Sequence, residues 1–323
     1  MTPMKARTPS VRASATSGDD AHLTAPWVDI KRFAVHDGPG IRTTLFLQGC
    51  TLRCPWCHNP ETYEAKPRLA YAAHRCLHCG ECVAACPRGC HTMVDGRHAF
   101  DRTRCAGCGQ CVEPCLGSAL RLYGRSVTVA EAVAWLLEDR AFYTASGGGV
   151  TLSGGEPLMH ADFCRAVLAR IRAEGIDTAV DTCGHVPRHA VERVLPCADR
   201  FLYDLKAADA GLHARLTGVD NRRILENLLF IAAAGKPVEV RMILVPDRNM
   251  AEADIRKAGE LLRGVSTLTG VKLLAYHALA RSKFAALGLP DTMPDVPSPD
   301  ATALRRVADQ LRSILPAGAL VTF

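Results

Sequence analysis

The segment from Gly49 to Asn59 holds three cysteines, Cys50, Cys54 and Cys57, with the spacing Cys-x3-Cys-x2-Cys. A cubane iron–sulfur cluster normally takes four cysteine thiolates. A site with three thiolates leaves one iron open to bind a substrate or cofactor, much as a catalytic zinc ion keeps an open coordination position. The spacing therefore predicts a metal centre that performs chemistry, and not one that only stores electrons.

Zinc is the alternative metal for this segment, because a Cys-x2-Cys pair also builds zinc sites. A structural zinc site would need a fourth ligand close by. His58 follows Cys57 directly, where its ring would have difficulty closing the same tetrahedron. Zinc therefore explains the three cysteines less well than an iron–sulfur cluster does.

The residues around these cysteines resemble those of a known family. Trp56 stands just before the third cysteine, and the whole run resembles the signature of the radical S-adenosylmethionine (radical SAM) enzymes. The upstream segment 37–42, DGPGIR, and the downstream segment 57–61, CHNPE, resemble those of the glycyl-radical-enzyme activating enzymes. These enzymes install a radical on a glycine of a partner protein. The resemblance runs from about Val28 to the C-terminus.

Eight further cysteines form two runs with the bacterial ferredoxin spacing, although Leu116 replaces the proline that usually follows the second run. In paired runs the fourth cysteine ligates the other cluster. The predicted ligands are Cys76, Cys79, Cys82 and Cys115 for one cluster, and Cys105, Cys108, Cys111 and Cys86 for the other. Such saturated clusters can only move electrons, so residues 69–123 are predicted to be an inserted ferredoxin-like domain that feeds the open cluster. Disulfides gain no support, because a secretory signal is not evident.

Four cysteines lie outside these sets, and a free cysteine usually behaves as a small buried hydrophobe. Cys164 and Cys197 fall on predicted helices and are expected in the core. Cys183 belongs to the segment DTCG at positions 181–184. Cys90 lies close to the predicted clusters, and its role stays open.

The formal net charge of the chain is +6 over 323 residues. Each four-thiolate cluster carries about −2 and the three-thiolate cluster about −1, which brings the loaded protein to roughly +1. Nucleic-acid binding therefore loses its support from composition. The sequence lacks an apolar run of the roughly 20 residues that a membrane span needs, and residues 1–26 lack the apolar segment of a secretory signal. We expect a cytoplasmic monomer without a membrane partner, and a disordered tail over residues 1–26.

Beyond the insertion, short apolar runs alternate with amphipathic stretches, which is typical of β/α units around a parallel sheet. The alternation alone allows a barrel or a doubly wound sheet. The family resemblance implies the barrel: an α/β fold in which residues 27–68 and 124–323 form a partial (β/α)6 TIM-like barrel, open on one side. The predicted strands are 41–47, 150–153, 177–181, 200–205, 238–245 and 271–276, and the predicted helices are 129–138, 162–174, 221–234 and 251–263, with Thr128 and Asn221 as N-caps.

Glycine and polar residues follow several predicted strands, and the resemblance implies that they contact S-adenosylmethionine (SAM). Gly154, Gly155 and Glu156 form a GGE motif in which bare backbone can approach the methionine amino group, with a flexible glycine loop as the alternative. Further contacts are predicted for Trp56, Asp181, Asp204, Lys206, Arg241 and His277. Asp181 and Asp204 could also hold a monovalent cation. Surface salt bridges and a core histidine are the alternatives.

The resemblance implies a function as well. The open cluster cleaves SAM reductively to methionine and a 5′-deoxyadenosyl radical, which takes hydrogen from a glycine of a partner glycyl radical enzyme. Electrons would come from flavodoxin or ferredoxin through the insertion, so the expected cofactors are three [4Fe-4S] clusters and SAM. The groove for the partner peptide is predicted at Asp37, Gly38, Gly40 and Arg42, with a simple glycine–proline turn as the alternative.

Two other functions fit part of the sequence. A radical SAM enzyme that acts on a small molecule or nucleoside would share the open cluster and the GGE motif, and would differ in what quenches the radical. A non-catalytic polyferredoxin electron carrier would need neither feature and would leave SAM intact. The insertion argues against the short activating enzymes of pyruvate formate-lyase and anaerobic ribonucleotide reductase, which resemble the barrel without it.

Overall fold

The computed structural model of the chain describes residues 18–293 and 295–323, so residues 1–17 of the predicted tail lie outside the described residues. Residues 18–26 belong to the fold, which corrects the tail prediction for this part. Gly18–His22 form a 3-10 helix, and the first strand begins at Thr24. Its first four residues pair with residues 125–128, and Ala25 is buried in the main core. Backbone hydrogen bonds and apolar burial therefore hold this segment.

The strands, in chain order, are β1 (Thr24–Ala34), β2 (Arg42–Leu47), β3 (Arg68–Tyr71), β4 (His91–Val94), β5 (Arg97–Phe100), β6 (Leu120–Tyr123), β7 (Arg125–Thr128), β8 (Gly149–Gly154), β9 (Asp177–Thr182), β10 (Arg200–Asp204), β11 (Val238–Leu244), β12 (Leu268–Ala275) and β13 (Leu320–Thr322). The α-helices are α1 (Glu81–Ala85), α2 (Val129–Leu137), α3 (Arg140–Ser146), α4 (Ala161–Ala173), α5 (Arg188–Val194), α6 (Ala210–Thr217), α7 (Arg222–Ala233), α8 (Glu252–Leu262), α9 (Arg281–Leu287) and α10 (Ala301–Ile314). Among the described helices, none has both the length and the apolar character needed to cross a membrane.

One nine-stranded sheet carries the fold, in the order β13-β12-β11-β10-β9-β8-β2-β1-β7. From β2 through β8 to β13 all neighbouring strands are parallel and follow one another in chain order. A doubly wound sheet would reverse its strand order at a switch point, whereas consecutive parallel strands joined by helices have the order of a (β/α) barrel. The order ends at β13 and β7 without returning on itself. The predicted partial barrel is therefore confirmed.

Of the two predicted N-caps, Thr128 is confirmed and Asn221 is wrong. Thr128 caps α2 through a capping box, in which its hydroxyl accepts from the backbone N–H of Glu131 at 3.2 Å. Asn221 does not cap α7 with its side chain. Its buried amide donates instead to the carbonyls of Ala207 and Ala208, at 3.0 and 2.9 Å, and ties α7 to the loop after β10.

The two cysteines that were expected in the core differ in their surroundings. Cys164 is fully buried on α4, as predicted. Cys197 is only partly buried and lies in the turn after α5, not on a helix. The prediction placed Cys197 on a helix, but α5 stops at Val194 and the chain then turns toward β10.

The chain between β3 and β6 forms a small unit next to α9. β3 and β6 pair antiparallel, with Tyr71 opposite Leu120, so the two ends of the unit lie side by side. Inside it, β4 and β5 form a hairpin and α1 follows the first cysteines. Leu69, Leu120 and Cys111 form its small buried core. The kinship of this unit with ferredoxins stays a prediction.

Arg42 on β2 is fully buried and joins three strands of the barrel. Its guanidinium donates to Asp177 Oδ1 at 2.8 Å, to the Thr151 hydroxyl at 2.8 Å and to the Val150 carbonyl at 2.6 Å. Burial lowers its pKa, and the Asp177 carboxylate works against that change. Arg200 contacts the other oxygen of the same carboxylate at 2.9 Å but remains partly exposed.

We predict that Arg42→Met lowers the free energy of unfolding by about 3 kcal/mol, because it breaks a buried, hydrogen-bonded ion pair. Arg200→Met is the matched control on the same carboxylate, and it should cost less than about 1 kcal/mol, since its pair is open to solvent. Urea denaturation followed by circular dichroism measures both values. Equal losses in the two variants would contradict the assignment of Arg42 as the buried anchor.

Candidate active site

The carboxyl ends of the parallel strands surround a cavity of about 260 Å³. In (β/α) barrels, this edge of the sheet carries the loops that perform chemistry. The loop after β2 contributes cysteines, and β8 to β11 contribute polar and charged groups. Residues from the sequence analysis that line the cavity are Asp37, Cys50, Cys54, Trp56, Cys57, His58, Gly154, Gly155, Asp181, Cys183, Asp204, Lys206 and Arg241.

Three thiols reach this cavity from the one loop between Cys50 and Cys57. Burial raises the pKa of the Cys54 and Cys57 thiols to about 12. The pKa of Cys50 is instead lowered, chiefly by a hydrogen bond with Cys183. Thiols that converge on a buried cavity suit a soft metal centre, which binds them as thiolates. The residues present therefore fit an iron–sulfur cluster with one iron left open.

The two glycines of the GGE motif let the end of β8 approach the cysteine loop closely. A Cβ atom on Gly154 would lie 2.1 Å from the carbonyl oxygen of Leu47, and one on Gly155 would lie 2.2 Å from that of Gly49. Gly154 also has a φ of +130°, which residues with a side chain rarely adopt. The fold itself therefore requires glycine at these two positions. The cofactor contact is a separate prediction for the same residues.

Glu156, the third residue of the motif, is fully buried, and the protein engages both oxygens of its carboxylate. Oε1 accepts from the Leu158 N–H at 3.0 Å and the Thr182 hydroxyl at 2.7 Å. Oε2 accepts from the N–H groups of Cys183 and Gly184 at 2.9 and 3.1 Å, and from the Cys183 thiol at 3.0 Å. Burial raises the pKa of Glu156, although these donors favour its charged form. The carboxylate joins β8 to the end of β9, in contrast to the predicted cofactor contact.

Two ion pairs line the cavity. Arg241 Nη1 lies 3.2 Å from Asp181 Oδ2, and Lys206 Nζ lies 2.7 Å from Asp204 Oδ2. Burial raises the pKa of Asp181 to about 6, against the opposing effect of Arg241. Burial also opposes the charge of Lys206, but Asp204 and neighbouring thiolates outweigh it and raise its pKa. The anionic partners that a buried Arg241 requires are therefore protein carboxylates, including Asp37 at 3.7 Å.

The segment 37–42 is only partly open to the cavity. Asp37 lines it, and Gly38 and Gly40 both have positive φ. A Cβ atom on Gly40 would lie within 2.7 Å of three backbone atoms just before β8, so the turn is packed tightly there. Arg42 is fully buried by its contacts with β8 and β9, which excludes it from a groove for a partner peptide. The groove prediction is corrected at this residue, because its guanidinium is used inside the barrel.

His277 follows β12 and packs against His58, with ring centroids 4.1 Å apart. Of the two rings, that of His58 lines the main cavity, whereas His277 lines a smaller, separate one. Within the described structure, Nδ1 of His277 is buried without a hydrogen-bond partner. The cofactor contact of His277 stays a prediction, and in the described structure the residue packs on His58 at the edge of the main cavity.

Comparisons with known proteins agree with this geometry. A family model described as the radical SAM superfamily matches residues 44–258. The benzylsuccinate synthase activating enzyme of Thauera aromatica is 42% identical over 267 residues, covering 80% of this chain and 81% of the relative. The choline trimethylamine-lyase activating enzyme of Oleidesulfovibrio alaskensis is 40% identical over 266 residues, covering 80% of this chain and 86% of the relative. The chain belongs to the radical SAM activating enzymes of glycyl radical enzymes.

A solved structure of Streptococcus suis SuiB bound to S-adenosylmethionine has a TM-score of 0.50 with this chain. The sequences are 14% identical, and the match covers 85% of this chain and 48% of the other. At this identity the likeness concerns the fold alone. It agrees with the partial barrel that the strand order indicates.

The eight cysteines of the two runs between β3 and β6 gather into two groups in the structure. One small cavity is lined by Cys76, Cys79, Cys82 and Cys115. The pKa of Cys111 is raised to about 12 by burial and then by the charges of its neighbours Cys105, Cys86 and Cys108. Each group thus takes one member from the other run, which is the exchange that the spacing predicts; ligation itself stays a prediction. Cys90 is buried beside the second group and its N–H donates to the Cys86 sulfur at 3.3 Å.

Sequence reasoning missed a pair of histidines beside the first group. His91 Nδ1 and His98 Nε2 lie 2.9 Å apart, and both rings have a nitrogen within 4.8 Å of the Cys82 sulfur. Burial and the nearby His98 lower the pKa of His91 to about 4, so its ring is neutral. The signal was present in the hairpin, since β4 and β5 pair antiparallel and place these two side chains on one face.

Asp181 makes stability depend on pH. Its folded pKa of about 6 lies above the ordinary value of 3.8, so its contribution is complete below pH 4 and is lost as the pH rises through 6. We predict that the free energy of unfolding of the wild type, relative to Asp181→Asn, falls by up to about 3 kcal/mol over this interval. Urea denaturation of the metal-free protein at several pH values checks this. Parallel pH profiles for the two proteins would contradict it.

Proposed function

We propose that this chain activates a glycyl radical enzyme by removing a hydrogen atom from a glycine of that partner. The observation that carries the proposal is the convergence of Cys50, Cys54 and Cys57 on one charged cavity, in a chain similar to activating enzymes over four fifths of its length. With an iron–sulfur cluster and SAM bound, this site supplies reductive cleavage of SAM and hence the 5′-deoxyadenosyl radical that takes the hydrogen.

The three cysteines would hold the cluster and leave its fourth iron free for SAM. Backbone groups of Gly154 and Gly155 would bind the amino group of SAM, because nothing but backbone faces the cavity there. Lys206 would neutralise the SAM carboxylate, since its ammonium is buried and held charged by Asp204. Glu156 would act indirectly, by fixing the loops that carry these groups.

Two further parts of the cavity have proposed roles. Asp181 and Asp204 would hold a monovalent cation; the support for this is Asp181 Oδ1, which is buried and unpartnered among the described residues. Arg241 would position Asp181 through their 3.2 Å contact. Trp56 is almost fully buried at the cavity wall and would pack against the cofactor.

The partner's glycine loop would enter past Asp37, Gly38 and Gly40. Asp37 lines the cavity, and the turn at the two glycines packs tightly against Arg42 and the residues just before β8. Relatives of this chain are named for different partners, including benzylsuccinate synthase and choline trimethylamine-lyase. The proposal therefore names only the class of the partner, which is a glycyl radical enzyme, and not an individual partner.

The inserted unit would carry two [4Fe-4S] clusters, one on each group of four cysteines, and so bring the total to three. Support comes from the gathering of Cys76, Cys79, Cys82 and Cys115 around one small cavity. Saturated clusters of this kind pass electrons on, and flavodoxin or ferredoxin would supply them. We also predict that the protein is a monomer and that it lies in the cytoplasm.

The proposal is tested by electron paramagnetic resonance (EPR). Reconstituted protein, dithionite, SAM and the glycyl radical enzyme encoded beside this gene should give a glycyl doublet under anaerobic conditions. Cys54→Ala should abolish the doublet, because a ligand of the cluster is lost, whereas Cys164→Ala, a buried cysteine of α4 outside the cavity, should retain it. SAM cleavage without any protein radical would favour a small-molecule substrate, and intact SAM at full iron loading would favour an electron carrier.

A second prediction concerns the inserted clusters. Cys86→Ala should lower the iron content from about twelve to about eight atoms per chain, because one four-iron cluster loses a ligand. Cys90→Ala is the matched control, since Cys90 adjoins Cys86 but stands outside both groups. Iron and sulfide analysis after anaerobic reconstitution gives the counts. Full iron in the first variant with a loss in the second would reverse the ligand assignment.

A further inference from the structure

Lys283 on α9 reaches back to the loop that follows the third cysteine of the active site. Its ammonium donates to the His58 carbonyl at 3.0 Å, to Asn59 Oδ1 at 3.1 Å and to Glu61 Oε1 at 2.6 Å. These three partners use all the donors that an ammonium has. One side chain from a distant helix thus fixes three positions of a four-residue stretch.

The stretch it fixes also contacts the active-site sulfur. The backbone N–H of Asn59 donates to Cys57 Sγ at 3.4 Å. Glu61, which binds Lys283 most closely, is 3% exposed, so its carboxylate depends on the lysine for a counter-charge. In the described structure its second oxygen, Oε2, is buried without a partner. The geometry of the N–H to sulfur contact therefore depends on the pair of Glu61 and Lys283.

The other end of α9 is held by Arg68 of β3 and by Arg102 of the inserted unit. Arg102 donates to the Ala286 carbonyl at 2.7 Å, and Arg68 donates to the Leu287 carbonyl at 3.2 Å. Cations suit these positions, because the last carbonyls of a helix carry partial negative charge. Leu287 itself is buried in a cluster with Val28 of β1, Ala70 of β3 and Tyr123 of β6. α9 is therefore fixed at its C-terminal end, and Lys283 extends from a rigid support.

We infer that Lys283 is a positioning residue for the iron–sulfur site, acting by holding the Asn59 N–H on the Cys57 sulfur. A hydrogen bond to a ligating sulfur withdraws charge from it and makes the cluster easier to reduce. This inference rests on the proposed function only in that it needs a cluster on Cys57.

The test is a redox titration followed by EPR, on reconstituted protein. The signal of this cluster is identified as the one that changes when SAM is added, because only a cluster with an open iron binds SAM. In Lys283→Met its midpoint potential should shift to a more negative value, while the signals of the inserted clusters keep theirs. Arg256→Met is the control, because it removes an exposed pair with the same 2.6 Å separation on α8, and it should leave every midpoint unchanged.

Loss of the lysine leaves Glu61 buried and uncompensated, so a second variant guards against misfolding. Glu61→Gln/Lys283→Met removes both charges and should fold while still showing the negative shift. An unchanged midpoint in this double variant, or an equal shift of all clusters, would overturn the inference. A wild type without any SAM-responsive signal would overturn the proposed function instead, so the two failures are distinguishable.

Discussion

The buried carboxylate of Glu156 is the contact on which the rest of the site depends. The backbone N–H of Glu156 donates to the carbonyl of Gly49 at 2.7 Å, next to the first active-site cysteine. Its two oxygens gather donors from residues 182–184 at the end of β9. A carboxylate buried this deeply is costly unless several donors surround it, and here they come from the very loops that must be fixed. The same hydrogen bonds therefore stabilise the buried charge of Glu156 and hold the loops of the site together.

Around this contact, the cavity combines opposite charges in a small volume. Arg241 and Lys206 face Asp37, Asp181 and Asp204, so carboxylates outnumber cations before any ligand is present. Burial raises the pKa of Asp181, and the charges of Asp204 and Asp37 raise it further, against the opposing effect of Arg241. A ligand that brings both an ammonium and a carboxylate can pair with members of both sets, which is the charge pattern of the methionine part of SAM. The electrostatics of the cavity and the proposed cofactor therefore agree.

Much of this could be predicted from sequence, and the failures have a common physical origin. The barrel strands and the cysteine groups were predictable because apolar periodicity and ligand spacing are local signals. Arg42 was misplaced because its partner Asp177 lies 135 residues away along the chain. The GGE motif predicts a cofactor contact for Glu156, whereas the fold turns its carboxylate toward β9. Side chains whose partners are remote in sequence take their roles from tertiary contacts that periodicity does not encode.

The two ends of the cysteine-rich unit, β3 and β6, lie side by side as an antiparallel pair. Tyr71 and Leu120 face each other at the end of a short antiparallel ladder, so everything between them leaves and rejoins the barrel at one point. A two-residue turn could close that ladder without moving a barrel strand. The proposed boundaries of the insertion therefore fall on one short ladder, where a barrel could gain or lose the whole segment in one step. In the proposed ligation each cluster takes thiolates from both runs, so half of the segment would hold no complete set of ligands and the segment would have to be exchanged whole.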